Sequence, residues 1–334
     1  MKIKNSKLRE GKLHHAYLTD EQIWRIFSSF LSSKSVKQST YKYALMKSMI
    51  ENLYEVNGKL ELTYDQLAYT FAKVYWNLVA VHGITQHNPG SRNAKAATLV
   101  LEEQNKYNIP QGYNFDKLSD AIQCDLIKNI KQKAMKENVF GALYGDTRGN
   151  FYEFAHKGEY FRFDKNVYTF MLNYQSLLIQ LTNYHMAKKI EELNGRAVDY
   201  LIFKVEDITK RGTLKPFEKI LLNHFEKRCF YCDKELTSGK RHVHVDHFVP
   251  WSFVQSDQIW NLVLSCSRCN TTKNDKLAID QYLEKLQIRN EKLITISEPS
   301  IQTKISNYDA GKIEKMYEYS RKNGFDDFWT PVYM

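Results

Sequence analysis

The chain has 334 residues, more than most single hydrophobic cores serve, so two or three domains are expected. Its 43% apolar and 26% charged residues exclude wholesale disorder, and apolar runs such as Val79-Ala80-Val81 and Leu177-Leu178-Ile179 are too short to cross a bilayer. Lysine and arginine number 48 against 38 acidic residues, a formal charge of +10 that favours a polyanionic partner. No apolar stretch follows the N-terminal lysines, so a cytoplasmic protein without a signal peptide or a membrane partner is expected.

Residues 1–16 are basic and suit either an arm on a phosphate backbone or a frayed, solvated terminus. Thr19-Asp20-Glu21-Gln22 reads as a capping box, with Ile23, Phe27, Phe30 and Leu31 on one face of the helix it opens. A second helix is expected from Tyr41 to Leu53. Thr63-Tyr64-Asp65-Gln66 is another capping box, opening a helix in which Tyr75 and Trp76 belong to the core. Helices are predicted over 93–107 and 115–137. The second of these carries Lys128, Lys131, Lys133 and Lys136, which suit a phosphate-facing stripe or a solvated face. Segments 151–154 and 160–163 read as a hairpin. A long helix over 167–193 then stops at Asn194-Gly195. Residues 1–205 therefore read as one mainly helical domain, with target choice, dimerisation or partner binding as its expected role.

After Lys210-Arg211-Gly212 the composition changes, and Pro216 suits the first turn of a helix running to Phe225. Five cysteines in a cytoplasmic chain argue against a disulfide framework. Four of them form two pairs, Cys229-Phe230-Tyr231-Cys232 and Cys266-Ser267-Arg268-Cys269. Four thiolates at this spacing close a tetrahedral shell around one structural zinc ion. The fifth, Cys124, falls in a helical pattern and reads as core. Between the pairs, His242-Val243-His244-Val245-Asp246-His247 alternates as a strand, and Pro250 ends it. Trp260-Asn261-Leu262-Val263-Leu264 reads as a second strand. Asn270 directly follows the second cysteine pair, and a helix is expected to continue through Leu277, Tyr282 and Leu286. Trp251 and Trp260 are expected to pack a core too thin to stand without zinc.

The pattern C-x2-C, V-D-H-x-x-P, N-L, C-x2-C-N-x2-K resembles the HNH endonuclease superfamily in its four-cysteine zinc variant, over about residues 226–290. The resemblance implies a ββα-metal core, and with the helical patterns on either side the chain reads as α+β and mainly helical: a helical domain over 1–205, a nuclease domain over 206–296 and a helical tail over 297–334. It implies that Asp246 and Asn270 hold the catalytic divalent ion, that His247 is the general base and that Asn261 braces the loop. The last motif position is Asn, not His, and two oxygen ligands suit Mg²⁺ or Mn²⁺. Lys273, three residues beyond Asn270, suits a flanking phosphate or simple solvation. His244 shares strand parity with Asp246 and suits either a nucleic-acid contact or packing. The implied activity is metal-dependent hydrolysis of DNA to 3′-hydroxyl and 5′-phosphate ends, in the manner of restriction or phage-defence effectors. An RNase using the same site, or a zinc-stabilised binding module without hydrolysis, is the alternative. A partner protein or a second copy is expected on the helical domain.

Overall fold

The computed structural model describes residues 8–14, 17–87, 92–195, 201–206, 214–236, 243–306 and 308–331. The chain divides into two compact units, Met1–Lys210 and Arg211–Met334. Among the described residues, no helix is long and apolar enough to cross a membrane.

The first unit is mainly helical. Its elements run β1 (Glu10–Gly11), α1 (Asp20–Leu31), α2 (Tyr41–Glu51), β2 (Glu61–Thr63), α3 (Tyr64–Trp76), α4 (Lys95–Lys106), α5 (Asp120–Ile130), α6 (Phe140–Asp146), β3 (Tyr152–Ala155), β4 (Tyr160–Phe163), α7 (Lys165–Asn173), α8 (Gln175–Asn194) and α9 (Leu201–Glu206). Both capping boxes form: Thr19 and Gln22 exchange hydrogen bonds at the start of α1, and Thr63 and Gln66 do so at α3. Ile23, Phe27, Phe30 and Leu31 are buried, as are Tyr75 and Trp76. The hairpin pairs β3 with β4, and the antiparallel sheet has the order β1-β3-β4-β2. Part of the basic N-terminal segment is therefore structural, since Glu10 and Gly11 pair with Ala155 and Phe154. Gly11 has no room for a side chain, because a Cβ there would stand 2.7 Å from the Tyr144 ring. Lys2, Lys4 and Lys7 lie outside the described residues, as do 88–91 of the expected loop.

Several sequence expectations change here. The helix expected over 115–137 begins only at α5, where the Ser119 hydroxyl accepts the Ile122 N–H. Residues Lys131–Val139 then widen into a π-helix, which runs directly into α6. The lysines on this stretch are not a free stripe. Lys131 Nζ lies 2.8 Å from Asp65 and 2.9 Å from Glu159, and Lys136 pairs with Glu159 as well. Cys124 is exposed, not core, because α5 turns it outward while burying Leu126 and Ile130. The helix expected over 167–193 is two helices joined at Tyr174, whose ring packs on Phe170 and Trp24. Gly195, at φ +62°, ends α8 in the left-handed conformation expected of that C-cap.

The second unit runs α10 (Lys215–His224), β5 (His244–His247), α11 (Trp251–Val254), β6 (Leu262–Ser265), α12 (Ser267–Lys273), β7 (Leu277–Ala278), α13 (Asp280–Ile294), α14 (Pro299–Ile305), α15 (Ala310–Lys322) and β8 (Phe328–Trp329). β5 and β6 form an antiparallel hairpin in which Asp246 faces Val263 and His247 faces Leu262. The helix after the second cysteine pair does not continue to Leu286. α12 stops at Asn274, which takes φ +47°, and α13 starts afresh at Asp280. Trp260 is buried as expected, whereas Trp251 is only half-buried at the first turn of α11. Ile220, Ile259, Leu293, Ile301 and Ile305 form one apolar cluster, so α10 and α14 close on the same core. Beyond residue 297 the chain packs back: β8 pairs in parallel with β7, and the Trp329 ring meets Tyr231 edge-on at 5.1 Å.

Candidate metal centre and active site

The first cysteine pair sits on a tight turn. Arg228 and Glu235 bridge antiparallel across it, Cys229 N–H donates to the Lys234 carbonyl at 2.8 Å, and Asp233 closes it at φ +59°. The second pair opens a helix. Cys266 is the N-cap of α12, and its Sγ accepts the Cys269 N–H at 3.5 Å. The two supports meet so that all four sulfurs lie within 4.8 Å of one another, with Cys232 and Cys266 at 3.8 Å. Burial pushes the Cys229 thiol up to about 11. Burial acts in the same direction on Cys266. Hydrogen bonds from the Cys269 amide and the neighbouring thiols outweigh it, and the Cys266 thiol lies below its ordinary range. Four converging thiols with a thiolate-favouring helix N-cap fit a structural zinc ion in number, type and spacing.

The cysteine turn, the β5–β6 hairpin and α12 follow one another as a ββα unit around this cluster. Residues 229–279 match the HNH endonuclease family. The match covers the HNH domain and not the helical unit before it. No curated protein and no solved structure matches the chain.

Within the HNH domain, β5 carries Asp246 and His247 side by side and so turns them to opposite faces. His247 is buried, and its Nε2 lies 2.8 Å from Oδ1 of Asp257 in the loop between the strands. Its Nδ1 is buried with no hydrogen-bond partner among the described residues. The carboxylate at Nε2 makes that nitrogen the donor and leaves Nδ1 as the ring nitrogen without a partner among the described residues. Asn261 is fully buried and clamps the chain just past His247: its Oδ1 accepts the Val249 N–H at 2.9 Å and its Nδ2 donates to the Val249 carbonyl at 3.0 Å. Asn270 lies half-buried on α12, next to Cys269.

Asp246 and Lys273 occupy positions the motif alone does not reveal. Asp246 is buried, and its Oδ2 accepts the Tyr231 hydroxyl at 2.6 Å and lies 3.1 Å from Lys273 Nζ. Lys273 is fully buried, neither solvated nor turned outward to a phosphate. Its ammonium also donates to the His247 carbonyl at 2.8 Å. The reason is helical spacing. Lys273 follows buried Cys269 by four residues and so shares the face of α12 that packs on β5. His244 is half-buried with an unpartnered Nε2, while His242 lies outside the described residues. Two residues that the motif reading passed over, Tyr231 and Asp257, touch Asp246 and His247 directly. Tyr231 lies inside the first cysteine pair, so position flagged it. Asp257 carries no spacing signal at all.

Proposed function

We propose that the chain is a metal-dependent endonuclease that hydrolyses DNA phosphodiester bonds, with His247 as general base. The observation that carries this reading is the His247 imidazole, held at Nε2 by Asp257 and unpartnered at Nδ1. In this reading Nδ1 takes the proton of the attacking water, and Asp257 stabilises the imidazolium that forms. Asn261 keeps the loop after His247 from shifting.

Asp246 and Asn270 are the residues that would hold a catalytic divalent ion. Their donor atoms are hard oxygens, which suit Mg²⁺ or Mn²⁺ completed by water and substrate phosphate. Such an ion supplies charge neutralisation at the phosphate and at the leaving oxygen. Lys273 already places one positive charge beside Asp246, and Tyr231 fixes the same carboxylate oxygen. Both contacts orient the carboxylate. Asp246 therefore has little freedom to turn away, which suits a ligand that must be in place before substrate arrives. A role in restriction or phage defence, in the cytoplasm and with a partner protein or second copy on the helical unit, is the cellular setting we infer for such an enzyme.

Plasmid DNA and RNA incubated with the purified chain, with and without Mg²⁺ or Mn²⁺, test the proposal. DNA cleavage that needs the ion is expected. His247→Ala should lower it by about 10²–10⁴-fold, the usual worth of a general base, without loss of DNA binding. Asp246→Ala should fail differently, with partial recovery at raised Mn²⁺. A folded His247→Ala chain that cleaves at the wild-type rate would leave the zinc-stabilised binding module as the better reading. Cleavage of RNA alone would make the enzyme an RNase.

A further inference from the structure

The first unit holds a cavity of about 760 Å³ between the segment 37–41, the chain around Gln86 and the start of α4, a size within the range of small-ligand sites. The nuclease reading makes no use of it. Its floor is polar and incompletely paired. Gln86 is 1% exposed and its Oε1 accepts the Thr40 hydroxyl at 2.5 Å, but its Nε2 has no partner among the described residues. Asn93 Oδ1, on the same wall, is also buried and unpaired. Buried amide atoms left unpaired are rare, because each has given up its hydrogen bonds to water.

A second feature points the same way. The N-terminus of α4 opens on this cavity, and its cap residue, Ala94, supplies no side-chain acceptor for the first-turn N–H groups. Such a terminus favours an anion. Arg92, Lys95 and Lys133 stand at the rim, all exposed and none in an ion pair with an acidic residue among the described ones. Glu137 is the opposing carboxylate at the same rim, and Lys189 is offset by Glu192 at 2.6 Å. The half-buried Tyr41 ring completes one wall.

We infer that this cavity is a binding site for a nucleoside phosphate. The phosphate lies at the start of α4 among Arg92, Lys95 and Lys133, and the base edge meets the unpaired amides of Gln86 and Asn93. An amide presents a donor and an acceptor side by side, which is also what a base edge presents. A simple anion would satisfy the helix terminus and the cations and could accept from Gln86 Nε2, but it would leave the Asn93 Oδ1 acceptor without a donor. The inference is independent of the nuclease reading, since every residue in it belongs to the first unit.

Isothermal titration of the full chain with AMP, adenosine and inorganic phosphate tests it. AMP should bind, and adenosine and phosphate should each bind at least about tenfold more weakly, because each satisfies half of the site. The double variant Arg92→Glu/Lys133→Glu changes only exposed side chains. It should weaken AMP by about tenfold or more while its circular dichroism stays that of the parent. No heat with millimolar AMP, or equal AMP affinity in the folded double variant, would overturn the assignment. So would a short single-stranded oligonucleotide that displaces AMP and binds more tightly, because the cavity would then belong to a nucleic-acid strand.

Discussion

His247 Nε2 faces a carboxylate 2.8 Å away, and this contact sets what each side chain around it should do when altered. Asp257→Asn keeps the shape but removes the charge that stabilises an imidazolium and fixes the tautomer. Cleavage should fall well below wild type in single-turnover assays, while the divalent-ion concentration for half-activity stays unchanged, since no proposed ligand is touched. Lys273 provides a contrast. A phosphate contact could be removed with no cost to folding. Here the ammonium is fully buried between Asp246 and the His247 carbonyl, so Lys273→Met leaves a buried carboxylate without its cation. Breaking such a pair costs about 3–5 kcal/mol, and urea unfolding of the second unit should register it even without DNA. These two residues also mark how far sequence reading reaches. Lys273 was visible as a motif position, and its four-residue offset from Cys269 held the clue to its direction. Asp257 reaches His247 across a loop, where no periodicity records which side chain turns inward.

Among the elements, the β3–β4 hairpin and the π-helical stretch Lys131–Val139 are tied by Glu159, which accepts from Lys136 and Lys131. Glu159 sits at φ +48°, a turn conformation in which glycine would be easier, so its charge outweighs its backbone preference at this site. Hydrogen bonds from Lys136 and then Lys131 hold its carboxyl down to about 2. A carboxylate depressed on folding stabilises the fold above its ordinary range and loses that contribution as the pH falls from about 4 toward 2. Its side chain is 35% exposed, so solvent screening limits the effect to about 0.5–1 kcal/mol. Glu159→Gln should lower stability by that amount at neutral pH, and the difference should shrink as the pH falls toward 2 and disappear below it, measured by thermal unfolding across the range. The hairpin itself was legible in the sequence because its period is two and its turn is polar. The π-helix was not, since its side chains keep the pattern of an ordinary helix and only the backbone hydrogen bonds change. The division of 167–193 at Tyr174 was hidden for a related reason: no glycine or proline marks it, and aromatic packing on Trp24 and Phe170 accompanies it.

At the scale of the whole molecule, a formal charge of +10 should make DNA association strongly salt-dependent, because each neutralised phosphate releases counterions. The log of affinity of the His247→Ala chain should fall linearly with the log of salt concentration. A flat line would assign the charge to solubility alone. A change of composition after Lys210-Arg211-Gly212 was legible in the sequence, and the four-cysteine cluster was legible as two Cys-x-x-Cys pairs. The return of the chain after residue 297 onto β7 was not, since a two-residue parallel pairing leaves no pattern in sequence. One link in the second unit also sets an order of events. Tyr231, which fixes Asp246, lies between Cys229 and Cys232, and Asn270 and Lys273 ride on the helix that Cys266 and Cys269 begin. In the proposed enzyme, the four-cysteine zinc centre would thus be the scaffold for the hard-metal one. A stripped chain given Mg²⁺ first should stay inactive, and the same chain given Zn²⁺ and then Mg²⁺ should recover. Loss of cleavage in a general chelator therefore says nothing by itself about which ion takes part in the chemistry; stepwise reconstitution, followed by activity and by protease resistance of the second unit, separates the two.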